Sequence, residues 1–455
     1  MKIGLICSGM LVCCSVSFAQ EVPPTKSQPT EKSAEAEVQQ LMGMLDDKNP
    51  VARYQAARSI VLIGPAAKEA VPKLITKLDT DKDEPARAAY AEALGIIGPV
   101  NKEVLPALVK AIDDEGGFVR YSAAMALARF GEQAKPAIPD LIKKFKSGDS
   151  SDREILASAF GKIGPAAEAA LPTLGEALNA KDPFERIAVA KSILQIDPQS
   201  VKATPALVKV LSDSDDKARA DAADALADLG PIAKSAVPAL ANALSDEKAL
   251  VRRNSVRALG NMKTAAAPAL DQILKVLLED EEDLVREFAA QALPAVAPGN
   301  ERVSPALVKA LKDKDSDVRI AAAKSMLYFT EKSQDQLPRI IEALSDSDSE
   351  VAEALALTLA QIGEPALDPL LESAKSKNRQ VRQNTMMALG MLGYKEPESL
   401  TKIVPQLIEN LKDSDWQVRR ASARALAVTG SKTEATKTAL ESAARDPNKF
   451  VRRAA

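Results

Sequence analysis

Residues 212–244 read SDSDDKARADAADALADLGPIAKSAVPALANAL, and reworded copies of this stretch fill most of the chain. With Arg219 as marker, the counterparts are Arg53, Arg87, Arg120, Arg153, Arg186, Arg252, Arg286, Arg319, Arg382, Arg419 and Arg452, and Ala352 fills the one slot without arginine. Neighbouring markers lie 33 or 34 residues apart, except for 30 before Arg382 and 37 after it. Self-similarity at this period marks a stack of repeats, each too small to bury its own apolar face alone.

Each unit reads as two helices. Four residues before the marker stand Asn49, Asp83, Asp149, Asp182, Asp215, Asp315, Asp348, Asn378, Asp415 and Asn448. Their side-chain oxygens suit the start of a helix, where first-turn amides lack partners. Beyond the marker, apolar residues fall at helical spacing, as in Ala222, Ala223, Leu226 and Leu229. Gly230 then ends the helix, as Gly64, Gly98, Gly131, Gly164, Gly363, Gly393 and Gly430 do elsewhere, glycine suiting the left-handed position past a helix end. The second helix carries a proline column: Pro72, Pro106, Pro139, Pro172, Pro205, Pro238, Pro268, Pro305, Pro338, Pro369 and Pro405. Proline in a first turn and proline kinking a longer helix both fit this column.

A second acidic column lies six residues before the marker: Asp47, Asp81, Asp114, Asp213, Asp246, Asp280, Asp313, Asp346, Asp413 and Asp446. The resulting Pro…Asp…Val-Arg…Ala-Ala…Ala-Leu…Gly pattern, over residues 34–455, resembles the HEAT repeat, in particular its short form named after phycobilisome lyases. The resemblance implies an all-α fold, a right-handed α-solenoid of about twelve to thirteen helical hairpins with a 33-residue period. It also implies that the Asp and Arg columns form a hydrogen-bonded ladder along the stack. Local physics agrees, because an arginine in the first turn of a helix opposes the helix dipole and calls for a fixed carboxylate partner.

Ahead of the repeats, Lys2, an apolar run over 3–16 and Ser17-Phe18-Ala19 read as a secretory signal, residues 1–19. Residues 20–33, rich in Pro, Thr and Lys, read as a flexible leader. All three cysteines, Cys7, Cys13 and Cys14, lie in the signal, so an exported chain without thiols is expected, in a bacterial periplasm or secreted. Cys13, rather than a small residue, precedes the candidate lipidated Cys14, which disfavours a lipid tether. The apolar run is also short for a membrane span.

The irregular spacings point to places where stacking changes. Judged by Pro268, the link between the helices of the Arg252 unit is three residues short. The Ala352 unit has a shortened link, and the next a lengthened one around Gly393 and Pro397. Stacking is therefore expected to be least regular across residues 345–411, which reads either as neutral variation of the kind loops tolerate or as a hinge or contact region.

The chain has no histidine, which removes the commonest general base and metal ligand. Without histidine or mature cysteine a zinc site is not expected, nor is any other cofactor. The acidic turns at Asp313 and Asp346 lack the glycine and glutamate of a calcium loop, which leaves helix capping as their reading. Lys and Arg total 60 against 63 acidic residues, a net charge of −3, with no basic excess for nucleic acid.

The expected function is that of a non-enzymatic scaffold binding a protein, peptide or glycan through exposed first-helix positions five and nine residues beyond the marker. Candidate partner-binding residues are Arg129, Lys162, Arg257, Lys324 and Tyr328, with Trp416 either anchoring a partner or packing over a helix start. Two alternatives stand beside it: an enzyme or enzyme-maturation factor acting through clustered carboxylates, and a lipid-tethered structural protein of the cell envelope.

Overall fold

The computed structural model describes residues 31–455. The expected signal and most of the expected leader lie outside the described residues. Helices account for nearly all the regular structure, and the described residues contain no strand. The chain forms an α-solenoid whose described residues fall into two compact units, one ending at Ala126 and the other spanning Leu127–Ala455.

The Arg219 repeat shows how one unit is built. Its first helix is Asp216–Leu229, a tight 3-10 segment follows over Gly230–Ala236, and the second helix is Val237–Ala243. All ten Asp and Asn residues read as caps accept a first-turn amide through their side chains. These bonds satisfy donors that a helix start otherwise leaves unpaired. Within each compact unit, first helices pack on first helices and second on second, as Asp216–Leu229 does on Ala249–Met262. Alanines such as Ala222 and Ala223 are fully buried at these contacts, and one core runs from Ile187 to Leu426.

The proline column takes both of the forms the sequence allows. Pro72, Pro139, Pro172, Pro238 and Pro338 sit at the start of the second helix. Pro106, Pro205 and Pro305 fall in the third position, still within the turn whose amides are unpaired. Pro369 and Pro405 lie inside helices that begin a turn earlier.

Three expectations about glycine and spacing are corrected. Gly64, Gly164, Gly230 and Gly363 have positive φ but ψ between −133° and −146°, outside the left-handed helical region that Gly430 adopts at φ 65°, ψ 10°. Gly393 ends nothing: it is buried within the helix Arg379–Lys395, whose extra turn absorbs the inserted residues. The link of the Arg252 unit is of full length, because Lys263–Ala269 matches Gly230–Ala236 and the second helix starts at Leu270. Pro268 belongs to that 3-10 segment, and Asp271 occupies the true proline slot. The Ala352 unit does have a short link, Gly363 alone joining Ser349–Ile362 to Glu364–Ser373.

Candidate functional site

The charged residues that recur from repeat to repeat hold the turns together. Oδ1 of Asp213 accepts the Asp215 amide at 3.2 Å, and the same bond recurs at Asp47, Asp81, Asp114, Asp246, Asp280, Asp313, Asp346, Asp413 and Asp446. Arg219 then ties this turn to the next: Nη1 donates to the Asp213 carbonyl at 3.0 Å, while Nε and Nη2 donate to Asp246 at 2.7 and 3.0 Å. Equivalent pairs join Arg53 to Asp81, Arg87 to Asp114, Arg252 to Asp280, Arg286 to Asp313, Arg319 to Asp346, Arg382 to Asp413 and Arg419 to Asp446, while Arg186 reaches Asp213 through Nη2 alone, its Nε buried without a partner. Arg153 instead lies 2.9 Å from Oε1 of Glu185, and Arg120 and Arg452 donate to the carbonyls of Asp114 and Asp446.

This geometry sets the charge state of the ladder. Burial disfavours an ionised Asp81, but the Arg53 guanidinium, the Asp83 amide and the Tyr90 hydroxyl together hold its carboxyl down at about 2. Tyr90, fully buried, is pushed up by that burial and by donating to Asp81 at 2.8 Å. These groups are locked to one another and have little left to offer a ligand.

At one rung both partners are missing. Ala352 replaces the arginine, and Ser376 stands where the next aspartate would, its carbonyl accepting from Arg382 at 2.8 Å. Beside this gap lies a groove of about 610 Å³ lined by residues of Ser349–Ile362, Arg379–Lys395 and Trp416–Thr429. Ala352 is among its lining residues, Met387 and Met391 give it apolar surface, and Arg420, Arg424 and Glu353 are its charged lining residues. Oε1 of Gln383 is buried here without a hydrogen-bond partner. Burial, and the charge of Arg424 beside it, weaken the hold of Arg420 on its proton.

A second groove, of about 690 Å³, lies over Asp283–Val296 and Ser316–Met326 and has the opposite charge. Glu287, Asp317 and Glu350 line it with Lys324 and Tyr328. Burial, then the charge of Asp317, push the Glu287 carboxyl up, although Gln291 donates to it at 2.7 Å. Among the described residues no group of three or more His, Cys, Asp or Glu side chains could hold a metal ion. No described helix is long and apolar enough to cross a membrane.

The family of HEAT repeats matches this sequence in eight overlapping stretches, from residues 38–128 to residues 367–455. The chain belongs to the HEAT-repeat family. Among solved structures, this HEAT-repeat protein is similar to Kap121p bound to RanGTP, at a TM-score of 0.58 and 15% identity, covering 93% of this chain and 52% of that one. It is also similar to Kap95p in its complex with RanGDP, at a TM-score of 0.56 and 15% identity over 93% of this chain and 65% of the other. The karyopherin Kap121p bound to the SUMO protease Ulp1p gives 0.50 and 15%, over 88% and 49%. The chain thus spans about half the length of Kap121p, and at such identity the likeness is one of fold. No curated protein sequence matches.

On this HEAT-repeat protein the residues picked from sequence are scattered among different settings. Arg129 and Lys162 are exposed at or near the ends of first helices. Arg257 pairs with Asp224, which also meets Lys191 at 3.3 Å. Lys324 pairs with Glu350 at 2.7 Å, and Tyr328, 71% exposed, stands beside it in the acidic groove. Trp416 is half-buried and stacks on Phe450 with ring centres 5.4 Å apart. The basic groove was missed, although the same spacing of five and nine residues selects Met387, Met391, Arg424 and Val428.

Proposed function

We propose that this chain is a non-enzymatic scaffold that binds a polypeptide partner along the exposed faces of its first helices, in the groove beside Ala352. The observation that carries it is the pairing of apolar lining, Met387 and Met391, with polar groups that have no partner among the described residues. Flexible thioether side chains adapt to a bound surface, and repeat stacks present such faces by geometry. The complexes of Kap121p and Kap95p with other proteins support this use of the fold.

Export is part of the proposal and rests on the apolar run over 3–16 and the small residue Ala19. Sequencing of the N-terminus of the protein recovered from its native cell is expected to begin at Gln20, and an N-terminus at Met1 would remove this part. Labelling with a fatty-acid analogue separates a tethered form at Cys14 from an untethered one.

The binding face is tested by capture of partners with the wild-type chain, with Met387→Glu/Met391→Glu, and with charge reversal at Arg129 and Lys162. Loss of the captured polypeptide only in the methionine variant, at unchanged thermal stability, supports the groove. Equal recovery by all three chains overturns it. The reading as a carboxylate enzyme draws on Glu287 and Asp317, and a reaction abolished by Glu287→Gln would favour it.

A further inference from the structure

We propose that the occupant of the groove beside Ala352 is an acidic polypeptide segment carrying an apolar side chain between its carboxylates. This rests on the groove being a binding site, and adds the chemistry of what it binds.

The first argument is charge without a counter-charge. The other cations five residues beyond the marker, the position of Arg424, have acceptors: Arg58 pairs with Glu92, Lys191 and Arg257 with Asp224, and Lys324 with Glu350. Arg420 and Arg424 have no ion-pair or hydrogen-bond partner among the described residues, and Glu353 meets neither of them. Like charges four residues apart on a helix repel, so the chain holds this pair at a cost. Two carboxylates would remove that cost, and the planar guanidinium takes a carboxylate through two parallel bonds.

The second argument is the unpaired acceptor. A buried carbonyl oxygen without a donor is unfavourable, and Gln383 Oε1 is in this state. A backbone N–H supplies what it lacks, and a polypeptide brings such donors along its length. The sugar-phosphate backbone of DNA brings none, although its phosphates would suit the arginines. The third argument is the apolar lining: Met387 and Met391 accept an aliphatic or aromatic side chain but give no reason to bind a plain polyanion. Together the three call for carboxylates, a main-chain donor and an apolar anchor on one ligand.

The test uses the full chain and a fluorescein-labelled peptide of sequence Glu-Asp-Leu-Phe-Glu-Asp-Leu, titrated by fluorescence anisotropy. Saturable binding is expected, weakened about tenfold or more by Arg420→Gln/Arg424→Gln, and by replacing the peptide carboxylates with amides. Met387→Ala/Met391→Ala is expected to weaken the same peptide but not poly-glutamate. Circular dichroism and the thermal midpoint establish that each variant is folded. Unchanged affinity in the arginine variant overturns the proposal, as does equal or tighter binding of a thymidine oligonucleotide. If the arginine variant still captures a cellular partner that the methionine variant loses, this proposal falls while the scaffold reading survives.

Discussion

At the scale of single residues, the repeat shows where one side chain is out of keeping with its backbone. Lys263 stands in the slot that Gly230 fills one repeat earlier, at φ 56° and ψ −138°, the only non-glycine residue with positive φ among those described. Such a conformation costs a residue with a Cβ of order 1–3 kcal/mol. Lys263→Gly is expected to stabilise the protein by about 1 kcal/mol after the added freedom of the unfolded chain is counted. The check is a higher urea midpoint at an unchanged slope. The ladder predicts a pH dependence. Asp81, Asp114, Asp246, Asp313, Asp413 and Asp446 are all held below the usual 3.8, by arginine and amide hydrogen bonds that outweigh burial. A depressed folded value means stability present above 3.8 and lost as pH falls towards the folded values, about 2 for Asp81. Glu154 and Glu287, raised by burial, act in the opposite sense and are fewer. Urea midpoints are expected to fall between pH 5 and pH 2, and Asp81→Asn to flatten the fall; a level profile would contradict the ladder's energetic role. The columns themselves were legible in the sequence. That each arginine reaches forward to the next repeat's aspartate was implied only by resemblance, since spacing alone does not choose between partners.

At the scale of elements, two glycines in helices separate helix propensity from packing. Gly175 lies in Leu171–Ala177 with nothing within 4 Å of the position a Cβ would take. Gly175→Ala is expected to raise stability by up to about 1 kcal/mol, the propensity difference. Gly390 lies in Arg379–Lys395, where a Cβ would come within 2.9 Å of the Ala425 Cα on the neighbouring helix. Gly390→Ala is therefore expected to lower the thermal midpoint despite the better helix former, because backbone must move to admit it. Equal effects at the two sites would show that the helices are less closely packed than described. Sequence reasoning found the caps because Asp and Asn act within their own turn. It misread Gly393 and Pro268 because a helix absorbs an insertion by adding a turn, and an imperfect column admits a near-neighbour proline.

At the scale of the whole molecule, the repeat is a unit of construction and not of stability. Leu226 and Leu240 of the Arg219 repeat are fully buried in a core that continues through its neighbours. A peptide of residues 212–244 is expected to give a coil spectrum by circular dichroism at 25 °C, whereas the full chain is helical. A folded spectrum from the peptide would mean that stacking is not what holds the repeat. Charge also acquires meaning only at this scale. A net charge of −3 conceals, within Leu127–Ala455, an acidic groove at Glu287, Asp317 and Glu350 and a basic one at Arg420 and Arg424.

The period, the caps and the two charged columns follow from the order of residues, because each acts through bonds within a turn or repeats until chance is excluded. The α-solenoid followed from them. The groove did not. Whether an arginine is neutralised depends on which side chains another helix brings within about 4 Å, and whether methionines line a cavity depends on what the adjacent repeats leave uncovered. Ala352 breaks the arginine column in the sequence, but only the stacking of three first helices sets a groove beside that break.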